Sequence, residues 1–165
     1  MFIDSEEGLF CLKRICDEGS IYNRWTSSTE ILLLLKNILS TQNKIKLDIE
    51  IYNSVISMND IKSQTYPLLV TVSNRLGEKE IPELFFPHII SLIDHPNFAG
   101  MIGGIGGEAI YIVGHQDQEL IILDPHYIQS ENQSNTIYFK KTPRAISLKK
   151  ISCSVTFCFY FTSKD

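Results

Sequence analysis

The chain has 165 residues, 15 of them basic and 19 acidic for a formal charge of −4, with 44% hydrophobic and 21% charged side chains. That balance excludes a disordered tail, a collagen-like repeat and a disulfide-dense scaffold, and it predicts one domain spanning residues 1–165 with a substantial core. No basic run is longer than Lys140-Lys141 or Lys149-Lys150, which leaves no footprint for a nucleic-acid backbone or an anionic lipid surface.

The opening Met1-Phe-Ile-Asp-Ser-Glu-Glu-Gly8 lacks the basic and apolar stretches of a secretory signal. A helix is expected over residues 7–18, with Leu9, Leu12, Ile15 and Cys16 on one face and Gly19 as its stop. A second follows, capped by Ser27 or Ser28, with Glu30 in its first turn and an apolar run over 31–39 that suggests a buried position. That run is broken by Lys36-Asn37 and falls short of the ~20 residues of a membrane span. A cytoplasmic protein is the expectation.

Residues 46–52 alternate Leu47, Ile49 and Ile51 with Lys46, Asp48 and Glu50, the period of a half-buried strand. Residues 53–66 are polar and irregular. The continuous β-branched run 67–73 reads as a buried strand. Residues 81–95 have helical spacing at Leu84, Phe85, His88, Ile89, Leu92 and Ile93, closed by Pro96. Strands are expected at 98–102, 109–114, 119–123, 136–140 and 155–161, the last with aromatics on both faces as in a central place. Helices early and an antiparallel meander later predict an α+β fold.

Four cysteines, Cys11, Cys16, Cys153 and Cys158, show no C-x-x-C spacing and are expected as reduced, buried thiols, with no metal or cofactor. The glycine cluster Gly103, Gly104, Ile105, Gly106, Gly107 could cradle a phosphate, form a turn with positive φ angles, or serve as a hinged loop. A strand rather than a helix follows it and no Lys comes next, which argues against nucleotide binding.

The run Leu120-Ile-Ile-Leu-Asp124-Pro125-His126 carries more chemistry, since an apolar strand delivers an acid and an imidazole at its end, two residues apart. A carboxylate beside a histidine selects its tautomer and stabilises the imidazolium, as required where histidine activates a nucleophile. Taken alone, the three residues also read as a turn capped by Asp124 with a surface His126.

The surroundings extend the pattern. Met101-Ile-Gly-Gly104, the strand Ile110-Tyr-Ile-Val-Gly114, then Asp124-Pro-His126 with Gln129 beyond, resemble the catalytic-histidine region of the autophagins, the cysteine proteases that trim and deconjugate the ubiquitin-like protein of the autophagosome membrane. Arg75-Leu76-Gly77 resembles that family's strand ending, and Phe10 to Gly19 with Trp25 and the helix after it resembles the segment that carries Gly-x-Trp-x-Gly-Pro there. The run from Ser147 to Ser154, leading to Phe157-Cys-Phe-Tyr160, resembles the family's final motif.

The resemblance implies a papain-like fold, present in part, in which Asp124 orients His126, His126 activates a cysteine, residues 103–107 form a flap and Trp25 stands on the neighbouring wall. It implies as partners the ubiquitin-like protein and its lipid conjugate, whose extended C-terminal tail would thread the cleft. Three departures accompany it. Trp25 lacks the flanking glycines and proline, the flap continues as Ile105-Gly106-Gly107, and the Gly-Trp-Gly-Cys segment bearing the nucleophile is not among these 165 residues. The four cysteines are not expected to replace it, since Cys11 and Cys16 are predicted inside a helix. Alternatives are an inactive module that binds the ubiquitin-like protein and a protease of the ubiquitin-fold modifier pathway. With its four consecutive leucines, the helix over 31–39 is the expected exposed patch, to be covered by an N-terminal portion or a partner chain.

Overall fold

The computed structural model of the chain describes residues 8–61, 65–126 and 144–163. Two helices open it, α1 (Leu12–Gly19) and α2 (Ser28–Ser40). Strand β1 (Asp48–Asn53), a four-residue helix α3 (Met58–Ile61) and β2 (Leu68–Arg75) follow. A 3-10 turn at Glu83–Phe85 leads into α4 (Phe86–Ile93). Strands β3 (Phe98–Ile105), β4 (Glu108–Gln116), β5 (Glu119–Leu123), β6 (Arg144–Ser147) and β7 (Ser154–Phe161) complete an α+β fold.

The seven strands form one sheet in the order β1-β2-β7-β3-β4-β5-β6. The meander β3 to β6 is antiparallel as expected, while β1 runs parallel to β2 and β7 joins the two halves. Alternation along the strands sets the two faces. Met101, Ile110, Ile112, Leu120, Ile122, Val155 and Phe157 bury one face against Phe86, Ile89 and Ile93 of α4. Ser73 and Thr156 point the other way, toward the N-terminus of α2, where Ser28 and Thr29 meet them. The helices therefore sit on opposite faces. On the α2 side of β3 to β5, Ile102, Tyr111 and Ile121 are half-buried, and Val113, the extra residue of a β-bulge, and Leu123 are exposed.

Several expectations need correction. Helix α1 starts at Leu12 rather than residue 7, and Leu12 is exposed, since the helix only leans on α2 and buries none of its residues. Cys11 is its N-cap, not an interior residue. The buried face of α4 is Phe86, Ile89 and Ile93; Leu84, His88 and Leu92 point to solvent because the segment starts as a 3-10 turn, which shifts the phase of the helix. Helix α2 buries Leu32, Ile38 and Leu39 and leaves Leu33 49% exposed, so the expected apolar patch over 31–39 shrinks to one exposed leucine. The expected strand at 136–140 lies outside the described residues, and β6 was not anticipated.

Candidate active site

Strand β5 ends at Leu123, and Pro125, which has no N–H to continue a ladder, separates the two polar residues that follow. The carboxylate of Asp124 folds back over this turn. Its Oδ1 accepts the backbone N–H of His126 at 3.0 Å and lies 2.8 Å from His126 Nδ1. A carboxylate only accepts, so Nδ1 carries a hydrogen, and in the neutral ring that leaves the lone pair on Nε2. Asp124 Oδ2 is held by the Arg144 guanidinium, which comes from β6 opposite Ile122. The backbone N–H of His126, its ring and then the Arg144 charge hold the Asp124 carboxyl below its ordinary range. The Asp124 side chain is 11% exposed and that of His126 45%, so the acid is sheltered while the imidazole is open.

A groove of about 590 Å³ crosses the sheet on the α2 side, lined by Trp25, Ser73, Gly103, Gly104, Glu108 and Thr156 among others. Asp124 and His126 are not on its walls. The β4–β5 register ends at the pair Tyr111 and Leu123, two residues along β4 from Ala109 on the groove wall. Trp25, two residues before the N-cap Ser27, is 86% exposed and forms part of the wall.

The glycine cluster divides. Gly103 and Gly104 lie within β3, paired with Ile110 and Ala109. Gly106 (φ 58) and Gly107 (φ 92) form the two-residue connection between Ile105 and Glu108, the geometry of a type I′ hairpin. That turn joins two strands and opens no helix. Gly107 reaches the groove, whereas Gly106 does not line it and Ile105 packs on the α4-side core. At Gly104 a Cβ would stand 3.2 Å from Ser152 Oγ and 3.3 Å from the Glu108 carbonyl, so the bare backbone keeps the groove open there.

Beneath the groove lies a run of hydroxyls. Thr156 Oγ1, on a residue only 2% exposed, is 2.8 Å from Ser28 Oγ and 3.0 Å from Ser73 Oγ, and Thr29 Oγ1 is 3.3 Å from Ser73 Oγ. They tie the first turn of α2, and with it Trp25, to the central strands. No cysteine lines the groove. The helix-interior argument against Cys11 fails, since it caps α1, but it is 4% exposed and off the groove wall. Burial pushes the Cys158 thiol up to about 11, far from a usable thiolate. Among the described residues no group of three or more His, Cys, Asp or Glu could hold a metal, and no helix is long and apolar enough to cross a membrane. Gln129 lies outside the described residues.

Sequence reasoning missed Arg144, which no local spacing links to Asp124, and the hydroxyl row. The latter did leave a signal, since Thr156 and Cys158 alternate with Val155, Phe157 and Phe159.

Comparison with known proteins bears on this arrangement. The chain matches the peptidase C54 catalytic domain family over residues 1–165. It is 23% identical over 164 residues to the probable cysteine protease ATG4 of Meyerozyma guilliermondii, covering 94% of this chain and 40% of that protein. It is 25% identical over 190 residues to cysteine protease ATG4D of Xenopus laevis, covering 99% of this chain and 40% of that one. With the probable cysteine protease ATG4 of Scheffersomyces stipitis it shares 28% over 147 residues, covering 87% and 27%. The chain thus spans about 40% of the length of the first two relatives.

Proposed function

The chain belongs to the peptidase C54 family, the autophagins, and from that membership we propose that it is the histidine-bearing part of a cysteine protease that cleaves a ubiquitin-like autophagy protein after its C-terminal glycine and releases it from its lipid conjugate. The observation that carries this reading is the 2.8 Å contact between Asp124 Oδ1 and His126 Nδ1 at a strand end, with Nε2 left as the proton acceptor. Asp124 fixes the tautomer and balances the imidazolium, and His126 takes the thiol proton and later returns it to the leaving group. The nucleophile is supplied by a Gly-Trp-Gly-Cys segment outside these 165 residues, and the chain alone does not cut. The α+β architecture is in keeping with a papain-like domain.

The groove suits an extended, glycine-ended tail. Gly104 lets a second backbone approach the sheet closely, Trp25 offers an apolar wall, and the β3–β4 hairpin acts as the flap. The single tryptophan makes the test direct, because Trp25 gives the only indole N–H signal in the chain. Titration with a ubiquitin-like autophagy protein should move that signal, and the same protein without its tail should not. An unmoved signal in both cases removes the proposal. Cleavage of a tagged precursor by this chain, abolished by Cys11→Ala or Cys16→Ala, would overturn the external nucleophile. A longer form bearing Gly-Trp-Gly-Cys that binds the tail and leaves it uncut would make the protein a binding module.

A further inference from the structure

We infer that Arg144 is a positioning residue for the Asp124–His126 pair, an inference that rests on the function proposed above for that pair. The local turn explains only half of the carboxylate's orientation. Oδ1 is engaged twice by His126, through the backbone N–H at 3.0 Å and the ring at 2.8 Å, and both contacts come from a residue two positions away. The terminal torsion of an aspartate is broad and roughly two-fold, so these contacts alone do not fix the carboxylate plane. The Arg144 guanidinium engages the other oxygen, Oδ2. Arg144 stands opposite Ile122, which makes Asp124 its diagonal cross-strand neighbour, within reach of a long side chain. A guanidinium is planar and permanently charged, so it orients Asp124 wherever that carboxylate is ionised.

Arg144 does not touch the reacting atoms. It acts through Asp124, keeping Oδ1 turned to Nδ1 so that the acceptor lone pair stays on Nε2. It also ties the start of β6 to the turn that follows β5.

An ordinary surface ion pair would predict none of this, and Arg144 is itself 49% exposed, so the test must read orientation rather than stability. In the full 165-residue chain, labelled with nitrogen-15, the His126 ring signals report which nitrogen carries the hydrogen, at a pH well above the imidazole range. Wild type should show mainly the Nδ1–H form. Arg144→Gln should lower the ratio of Nδ1–H to Nε2–H by about fivefold, roughly what one net hydrogen bond supports. Arg144→Lys, which keeps the charge and loses the planar fork, should lower it about two- to threefold, and it stands in for the glutamine variant should that fail to fold. An unchanged ratio in the folded variant overturns the inference. Asp124→Asn is the reference. If it shifts the ratio while Arg144→Gln does not, the pair stands and Arg144 is incidental. If neither does, the pair itself fails as an acid–imidazole unit.

Discussion

Thr156→Val probes how the groove is held together. The substitution keeps the side-chain shape and removes one buried hydroxyl, which stands 2.8 Å from Ser28 Oγ and 3.0 Å from Ser73 Oγ. Each hydrogen bond contributes about 1 kcal/mol net. Ser28 and Ser73 are half-buried, so water restores part of what they lose, and the new methyl group faces hydroxyls rather than apolar atoms. The expected loss is about 1–2 kcal/mol, or about 3–6 °C in midpoint for a domain of this size. Thr156→Ser keeps the hydroxyl and deletes a methyl group, at a cost of about 0.8 kcal/mol or less. Urea unfolding followed by far-ultraviolet circular dichroism measures all three proteins, and a cycle with Ser28→Ala isolates the pair, with an expected coupling of about 1 kcal/mol. A Thr156→Val protein as stable as wild type, or zero coupling in the cycle, would show that the hydroxyl row does not anchor α2. The indole signal of Trp25 should move in Thr156→Val and stay in place in Thr156→Ser, since the first turn of α2 follows the tryptophan directly.

The hairpin can be tested at its two glycines: Gly107→Ala forces a left-handed alanine at φ 92 and should cost about 1–2 kcal/mol, whereas Gly106→Asn, at φ 58, forms the preferred Asn-Gly pair and should leave the urea midpoint unchanged or raised. The reverse order would exclude the type I′ geometry. His115 presents Nε2 to Asp94 Oδ1 and Nδ1 to the Asp117 carbonyl, both at 2.9 Å and both acceptors, so the imidazolium fits best, and the Asp94 carboxylate raises its pKa. A raised folded value means that the stabilisation is full below the unfolded pKa near 6.5 and is lost as pH rises through the folded value. With Asp94 64% exposed the effect should be about 0.5 kcal/mol between pH 6 and pH 8.5, and Asp94→Asn should abolish it in paired urea titrations. Cys158, with its thiol pushed up to about 11, should resist iodoacetamide at pH 8 in the native protein while half-buried Cys16 reacts first, and mass spectrometry that finds Cys158 labelled would refute its burial.

The strongly patterned elements were legible from the chain alone. β2 and β5 were read nearly to the residue because buried strands are continuous apolar runs bounded by polar turns, and α2 because Ser27 caps it, its side chain accepting the Glu30 N–H at 3.2 Å. The Asp124 and His126 contact followed from a spacing of two residues, which local geometry nearly dictates. What escaped depended on distant partners. The phase of α4 was misread because Leu84 and His88 fit a helical period that the 3-10 turn interrupts. The parallel pairing of β1 with β2 has no signature in either strand, and Arg144 meets Asp124 only through the pairing of β6 with β5.

The place of β7 has a consequence for how the protein is made. In the described chain it follows every other strand in sequence, yet it lies between β2 and β3. A ribosome therefore releases the β1–β2 pair and the β3 to β6 meander as separate pieces, each with one more open strand edge than it has in the finished sheet, before residues 154–161 are available to bridge them. Until then Leu68–Arg75 and Phe98–Ile105 lack their shared neighbour, and such edges invite pairing with other chains. Formation of the complete sheet awaits synthesis of β7, and nascent chains stalled before Ser154 are the species that most need a chaperone's protection.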